Sequence, residues 1–286
     1  MENYGILDQT VPFPTGGRIA CQGIRGANSQ LAAERMFPHG QYMFFKTFEG
    51  VVEAVKTGMC DFGMLPIENN IHGSVRPVYN LLKKGEVTIL RSQKLLIHHE
   101  LLVKEGTNLE DVRLIYSHEQ AIGQCSQFIK SLGDQVRAIP CENTAIAARM
   151  VAESEEKGVA SLSSSACIDL YHLKRLDVNA QNSENNYTRF ICISKNRQVY
   201  PGANRISLVL SLPHEPGSLF KILGQFAEIN VDMQKLESVP IPGRDFEFMF
   251  YIDLMASVTN PDVVAVLEDL KNRCQDFVYL GNYIEN

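Results

Sequence analysis

The sequence predicts an α/β protein followed by a smaller unit with the order βαββαβ. Two observations carry this. From Arg18 to Ser194, short apolar runs alternate with amphipathic helical patterns, as in α/β layers with mostly parallel sheets. From Arg205 onward the alternation gives way to strand, helix, strand, strand, helix, strand. Between them Lys195–Asn204, with Pro201-Gly202 and few large apolar residues, is the predicted linker.

In the first part, Arg18–Gln22 reads as a strand and Ser29–Phe37 as a helix. Gly50–Thr57 is helical and Phe62–Ile67 is a buried strand. Val75–Lys83 is helical again, and Val87–Leu102 is largely extended. Leu114–Tyr116 reads as a strand, Glu119–Leu132 and Thr144–Glu155 as helices. Gly158–Ser161 is a strand, Ser165–Tyr171 a helix, and Arg189–Ser194 closes the region as a strand.

In the second part Arg205–Leu212 is a strand. Gly217–Glu228 is a helix, with Leu219, Ile222, Leu223, Phe226 and Ala227 on one apolar face. Val231–Val239 is a strand and Pro240–Gly243 a turn. Asp245–Asp253 alternates, placing Phe246, Phe248, Phe250 and Ile252 on one side. Asp262–Asn272 is a helix and Phe277–Tyr283 the last strand, completing a ferredoxin-like split motif.

The chain has 286 residues, 45% of them hydrophobic and 21% charged, a globular composition with room for about two domains. A net charge of −6 argues against non-specific binding to nucleic acid or an anionic membrane. An anionic substrate would need a local site of amides, hydroxyls and an arginine. The seven cysteines are scattered, without CxxC, and mostly beside apolar residues, so they read as reduced packing residues. The seven histidines show no metal spacing, and no metal is expected. Residues 1–17 have neither a basic start nor an apolar run, and no stretch approaches the ~20 apolar residues of a membrane helix. A cytoplasmic location is the expectation.

Four polar segments stand out. Gln22–Ser29 joins a strand to a helix through Gly23 and Gly26; it is either a tight turn capped by Ser29 or a backbone cradle for an anion. Pro66–Ser74 follows a buried strand, where α/β sheets place their ligands; a turn with a helix cap explains it equally well. Ser117 and Gln120 have capping-box spacing, and Gln124 lies at the edge of the apolar face of Ala121, Cys125 and Phe128. Asn185–Phe190 is a polar loop entering a strand, in which Thr188 can donate a hydrogen bond and Arg189 can pair with a carboxylate. No segment alone names a reaction.

Together, in this order, the four segments resemble prephenate dehydratase. That family reads Gly-x-x-Gly with a following Ser, Pro-Ile-Glu-Asn, Ser-His-x-Gln with Gln-Cys, and Thr-Arg-Phe. The chain supplies Gly23, Gly26 and Ser29, then Pro66–Asn69, Ser117–Gln120 with Gln124-Cys125, and Thr188–Phe190. Asn70 stands where the family usually has Ser. The resemblance implies a catalytic domain over 18–194 with two lobes around a cleft, like periplasmic binding proteins. One lobe is expected at roughly 18–93 with 176–194, the other at roughly 94–175. Residues 205–286 resemble an ACT regulatory domain. Pro216-Gly217-Ser218-Leu219 matches its ligand loop and Glu237-Ser238-Val239-Pro240 its Glu-Ser-Arg-Pro segment, with Val239 for Arg; Asp232 stands where Asn is usual.

The resemblance implies conversion of prephenate to phenylpyruvate without cofactor or metal, because aromatisation drives it. It implies Thr188 as the hydroxyl that hydrogen-bonds the leaving group. Asn69, Ser117 and Gln124 would orient the substrate, and Glu68 would be either an acid or a support for Asn69 and Arg189. Gly26, Ser29, Asn70, Arg189 and Phe190 would complete the substrate site. Gly217, Ser218, Leu219, Asp232, Glu237 and Ser238 would bind phenylalanine as effector, in a homodimer or homotetramer. Arogenate dehydration is the nearest alternative; a non-catalytic sensor of an aromatic metabolite is one of a different class.

Overall fold

The computed structural model describes residues 4–241, 243 and 247–285. The chain runs β1 (Gly16–Gln22), α1 (Asn28–Met36), β2 (His39–Phe45), α2 (Phe48–Lys56), β3 (Phe62–Asn69), the short β4 (Gly73–Ser74), α3 (Arg76–Leu82) and β5 (Thr88–Leu96). It crosses to a second lobe with β6 (Glu100–Val103), β7 (Leu114–His118), α4 (Glu119–Gln124), α5 (Ser126–Ser131), β8 (Arg137–Cys141), α6 (Thr144–Glu153), β9 (Val159–Ser163), α7 (Ala166–Tyr171) and β10 (Lys174–Leu176). It returns through β11 (Tyr187–Ser194). The C-terminal unit is β12 (Arg205–Ser211), α8 (Ser218–Glu228), β13 (Asp232–Pro240), β14 (Phe248–Met255), α9 (Pro261–Arg273) and β15 (Asp276–Glu285).

The helices follow their caps and apolar faces. Thr47 accepts from the Gly50 amide at the start of α2, which buries Val51, Val52, Ala54 and Val55. Asn143 caps α6 in the same way through the Ile146 amide, and Asn260 with Pro261 opens α9. The predicted helix over 119–132 is divided at Cys125, whose ψ of 15° interrupts it between α4 and α5. His118, not Ser117, caps α4, so the expected capping box does not form.

Each lobe has a parallel core. β2, β1 and β3 are parallel neighbours, as are β8, β7 and β9. The expectation of mostly parallel sheets fails at the crossover. The chain leaves one lobe through β5 and comes back through β11, and β11 runs antiparallel to both β3 and β5. β6 and β10 enter the second sheet antiparallel for the same reason. β2, β8 and β10 lie at sheet ends, where exposure thins the apolar pattern that marks a strand; Pro140 in β8 is tolerated at such an edge.

In the C-terminal unit the sheet order is β13-β14-β12-β15, as the ferredoxin-like motif requires. Phe246, expected in the alternating strand, lies outside the described residues, as do Pro242 and Asp245. This sheet does not stand apart. β15 pairs with β5, so the C-terminal sheet continues into that of the first lobe. A shared core joins them: Tyr79 of α3 stacks on Tyr251 of β14 with ring centroids 4.3 Å apart, among Leu82, Ile193, Leu280 and Tyr283. Nor is 195–204 a free linker. Val199, Tyr200 and Ala203 are buried, Val199 exchanges backbone hydrogen bonds with Gly5 and Leu7, and Tyr200 packs edge-on against Phe13. Five of the seven cysteines are buried and all are free.

Candidate active site

The C-terminal end of β3 and the start of β11 form one wall of the cleft. Their register sets Thr188 opposite Asn69 and Arg189 opposite Glu68. Side chains alternate along a strand, so the two pairs point to opposite faces of the sheet. Thr188 and Asn69 line a cavity of about 600 Å³ between the lobes, with Phe190, Gln124, His118 and Thr144 among the other walls. That size suits a small ligand.

A hydrogen-bonded chain crosses the cleft. Asn69 Oδ1 accepts from the backbone amides of Ile71 and His72, both at 3.0 Å. Asn69 Nδ2 faces Asn186 Oδ1 at 2.9 Å and Thr188 Oγ1 at 3.0 Å. Asn186, buried, donates from Nδ2 to Gln124 Oε1 at 2.9 Å. Gln124 Oε1 also meets His99 Nε2 at 2.8 Å, and Gln124 Nε2 meets His72 Nε2 at 2.9 Å. Burial holds the His99 imidazole below its ordinary pKa, against the opposing pull of its bond to Gln124, so it stays neutral. Because Thr188 Oγ1 accepts from Asn69, its own proton is free to point at a bound molecule.

The family model described as prephenate dehydratase matches residues 19–198. The chain belongs to the prephenate dehydratase family. An arogenate dehydratase/prephenate dehydratase of Arabidopsis thaliana is 34% identical over 289 residues, covering 97% of this chain and 75% of the relative. A prephenate dehydratase from Arthrobacter aurescens, solved in complex with L-Phe, superposes with a TM-score of 0.84 at 25% identity, covering 93% of this chain and 89% of the other. A structure described as GqqA, a quorum-quenching acylase, gives the same TM-score at 29% identity, covering 94% and 98%.

Not all the family's motif residues reach the cleft. Glu68 and Arg189 turn away from it. Arg189 is 5% exposed and pairs with Asp253 of β14 at 2.7 Å, with Glu68 at 3.0 Å and with Glu285 of β15 at 3.8 Å. Glu68 also meets Lys235 of β13 at 2.9 Å. Burial alone would lower the Arg189 pKa; Tyr283, Asp253, Tyr79 and Glu68 reverse that and raise it. The pair therefore braces the catalytic sheet against the C-terminal unit, and neither residue is part of the cavity lining. Ser117 is fully buried and donates to the Leu162 carbonyl at 2.6 Å, which ties β7 to β9. Gly26 lies outside the cavity lining, and its carbonyl accepts from Ser164 at 2.8 Å. Gly26 has φ +86°, and a Cβ there would meet Cys167 Sγ at 2.9 Å, so glycine serves a close packing of the lobes. Ser29 lines the cavity, but its hydroxyl donates to the Gln22 carbonyl at 2.5 Å; Ala27 is the N-cap of α1.

Asn70 is exposed and also outside the lining. It clasps the β11 entry, accepting from the Tyr187 amide at 2.7 Å and donating to the Asn185 carbonyl at 3.0 Å. Sequence reasoning missed Asn186, His99 and His72. Asn186 lies in the polar Asn185–Phe190 segment, just before β11, and is buried between Asn69 and Gln124, partners that the sequence does not name. Among the described residues no group of three metal-ligating side chains forms.

In the C-terminal unit Gly217 has φ +81° and precedes α8, with Ser218 opening the helix. Leu219 packs into that unit's core, and Asp232 accepts from Gln234. Ser238 is exposed. Glu237, expected at an effector site, is engaged with Ser74 and Lys235 at the catalytic lobe. Burial opposes its charge, but the Ser74 and Lys235 bonds prevail and lower its pKa. No helix among the described residues is long and apolar enough to cross a membrane.

Proposed function

We propose that this dehydratase converts prephenate to phenylpyruvate, water and carbon dioxide, in phenylalanine synthesis. One observation carries the reading: Thr188, facing the cleft, accepts from Asn69 and so presents its proton to a ligand. In the reaction the ring C–O bond breaks with its electron pair, and the departing oxygen takes a proton from solvent to leave as water. The electron pair of the bond to the ring carboxylate completes the aromatic ring, and that carboxylate leaves as carbon dioxide. Thr188 donates a hydrogen bond to the departing oxygen without giving up its proton. Fixed donors in a partly closed cleft act where charge develops. Gln124 and Asn69, held by the chain of amides, orient the substrate, while Phe190 and Ile97 offer an apolar wall to the ring.

Arogenate, with an amino group in place of the keto oxygen, is the second reading, favoured by the double name of the Arabidopsis relative. Comparing turnover of purified protein on prephenate and on arogenate tests both; turnover of neither would defeat the proposal. Acylase chemistry fits less well. It needs a nucleophile next to a base. Among the described residues no cleft hydroxyl is hydrogen-bonded to a histidine: Thr188 faces the Asn69 amide, and Ser74 at the cavity edge is taken up by Glu237 and Lys235 in the contact with the C-terminal unit.

The division we favour is a catalytic unit over 18–194 and an ACT regulatory unit over 205–286, in a cytoplasmic enzyme without cofactor. Phenylalanine as effector is supported by the L-Phe complex of the Arthrobacter enzyme and by the Gly217–Leu219 turn opening α8. Pairing of copies through the C-terminal unit is supported by its exposed apolar side chains, Phe220 at 77% and Leu236 at 42%.

A further inference from the structure

We propose that His72 is a positioning residue, which latches the two lobes across the cleft and fixes the orientation of the Gln124 amide. The proposal rests on the dehydratase reading for its kinetic consequence but not for its geometry. His72 follows β3 in the first lobe, and Gln124 ends α4 in the second, so their bond at 2.9 Å joins side chains from opposite lobes.

The direction of that bond follows from the backbone. The amides of Ile71 and His72 can only donate, so the Asn69 atom they meet is its oxygen. Asn69 then offers its NH₂ to Asn186 Oδ1, and Asn186 offers its NH₂ to Gln124 Oε1. Gln124 is left with its NH₂ toward His72. His72 Nε2 must accept, and its proton resides on Nδ1. The circuit closes on the residue where it began: the His72 amide donates into it and the His72 ring ends it. His99 donates from Nε2 to Gln124 Oε1 and so enforces the same amide orientation. Three residues thereby hold Gln124, and only His72 does so from an exposed position.

An ion pair across the cleft, Lys46–Glu142 at 3.1 Å, has side chains 79% and 54% exposed and so contributes little.

Nitrogen-15 NMR of histidine-labelled protein, with His72→Gln to assign the signal, tests the geometry without any turnover. We expect the His72 proton on Nδ1 and the His99 proton on Nε2 near neutral pH. A His72 proton on Nε2 overturns the latch. In kinetics with prephenate, His72→Ala should lower kcat/KM about fivefold or more, the range expected for one lost hydrogen bond. His72→Gln, which keeps an acceptor, should stay within about twofold of wild type. Wild-type behaviour of His72→Ala, or an unrescued His72→Gln, also overturns the proposal. Failure of wild type to turn over prephenate would defeat the dehydratase reading and leave the tautomer to judge the latch.

Discussion

Thr188 and Asn69 sit directly opposite each other on neighbouring antiparallel strands, and the Asn69 amide donates to the Thr188 hydroxyl at 3.0 Å. The bond leaves the hydroxyl proton free for a ligand in the cavity. Thr188→Ala should lower turnover of prephenate by about 10²-fold or more, as for loss of one donor to developing negative charge. Thr188→Ser keeps the hydroxyl and should retain most activity. Phenylpyruvate formation followed by absorbance decides it, and equal rates for wild type and Thr188→Ala would remove Thr188 from the mechanism.

Glu68, one residue before Asn69, has the opposite orientation. Its oxygens meet Arg189 and Lys235, and both bonds lie outside the cavity lining. A general acid that is lost costs about 10²–10⁴-fold. Glu68→Gln should cost much less than that and leave the shape of the pH–rate profile unchanged. A collapse of kcat with loss of the acid or base limb would return Glu68 to the chemistry.

How much of this was legible in the sequence depends on which side of a strand a residue occupies. The motif segments mark the C-terminal end of β3 and the start of β11, and the alternating elements and the βαββαβ order follow from periodicity. Facing was not legible, because Glu68 and Asn69 are adjacent and equally polar. It needs the register of β11 against β3, which a shift between Arg189 and Phe190 disturbs locally. The contact of β15 with β5 was hidden for a similar reason. Sheet edges pair through backbone atoms, and the apolar pattern of either strand names no partner. Nor does the Pro66–Ser74 segment name a partner for His72, because Gln124 lies 52 residues away in the other lobe.

Arg189 is the hub of a buried ion cluster with Asp253, Glu68 and Glu285. Arg189→Leu leaves Asp253 without its closest cation, and breaking such a pair typically costs about 3–5 kcal/mol. Arg205, 3.4 Å from Asp253, limits the loss toward the lower value. Urea unfolding should show a lower midpoint for Arg189→Leu, and partial recovery when Asp253→Leu is added. An unchanged midpoint would mean that the cluster contributes nothing to stability.

Burial holds His99 neutral in the folded chain, while the unfolded chain takes up a proton near the ordinary value of 6.5. Below that value the unfolded state binds more protons than the folded one, so stability falls as pH drops through the window beneath it. His99→Gln keeps a donor for Gln124 and removes the titration. Urea midpoints at about pH 7 and about pH 5 should differ less for His99→Gln than for wild type. An identical difference would place the acid sensitivity elsewhere.

The last prediction concerns phenylalanine. The C-terminal unit reaches the catalytic strands by three routes: β15 pairs with β5, Asp253 and Glu285 grip Arg189, and Lys235 and Glu237 reach Glu68 and Ser74. Thr188 and Asn69 are the immediate neighbours of Arg189 and Glu68 on the same two strands. A rearrangement of β13 and β14 on effector binding would therefore be felt within one residue of the cleft. The Gly217 turn and the first amides of α8 offer donors to a carboxylate, and Asp232 offers an acceptor to an amino group. Coupling of about 1–3 kcal/mol is typical between such sites and corresponds to a 5–150-fold change in affinity. Calorimetry should detect phenylalanine binding to wild type and weaker binding to Asp232→Ala. Prephenate turnover should fall with phenylalanine in wild type, and Lys235→Met should weaken that inhibition more than it weakens binding, since Lys235 lies on the connection and not at the turn. Binding without inhibition in wild type would cut the connection, and no binding at millimolar phenylalanine would leave the C-terminal unit as a support for the catalytic sheet.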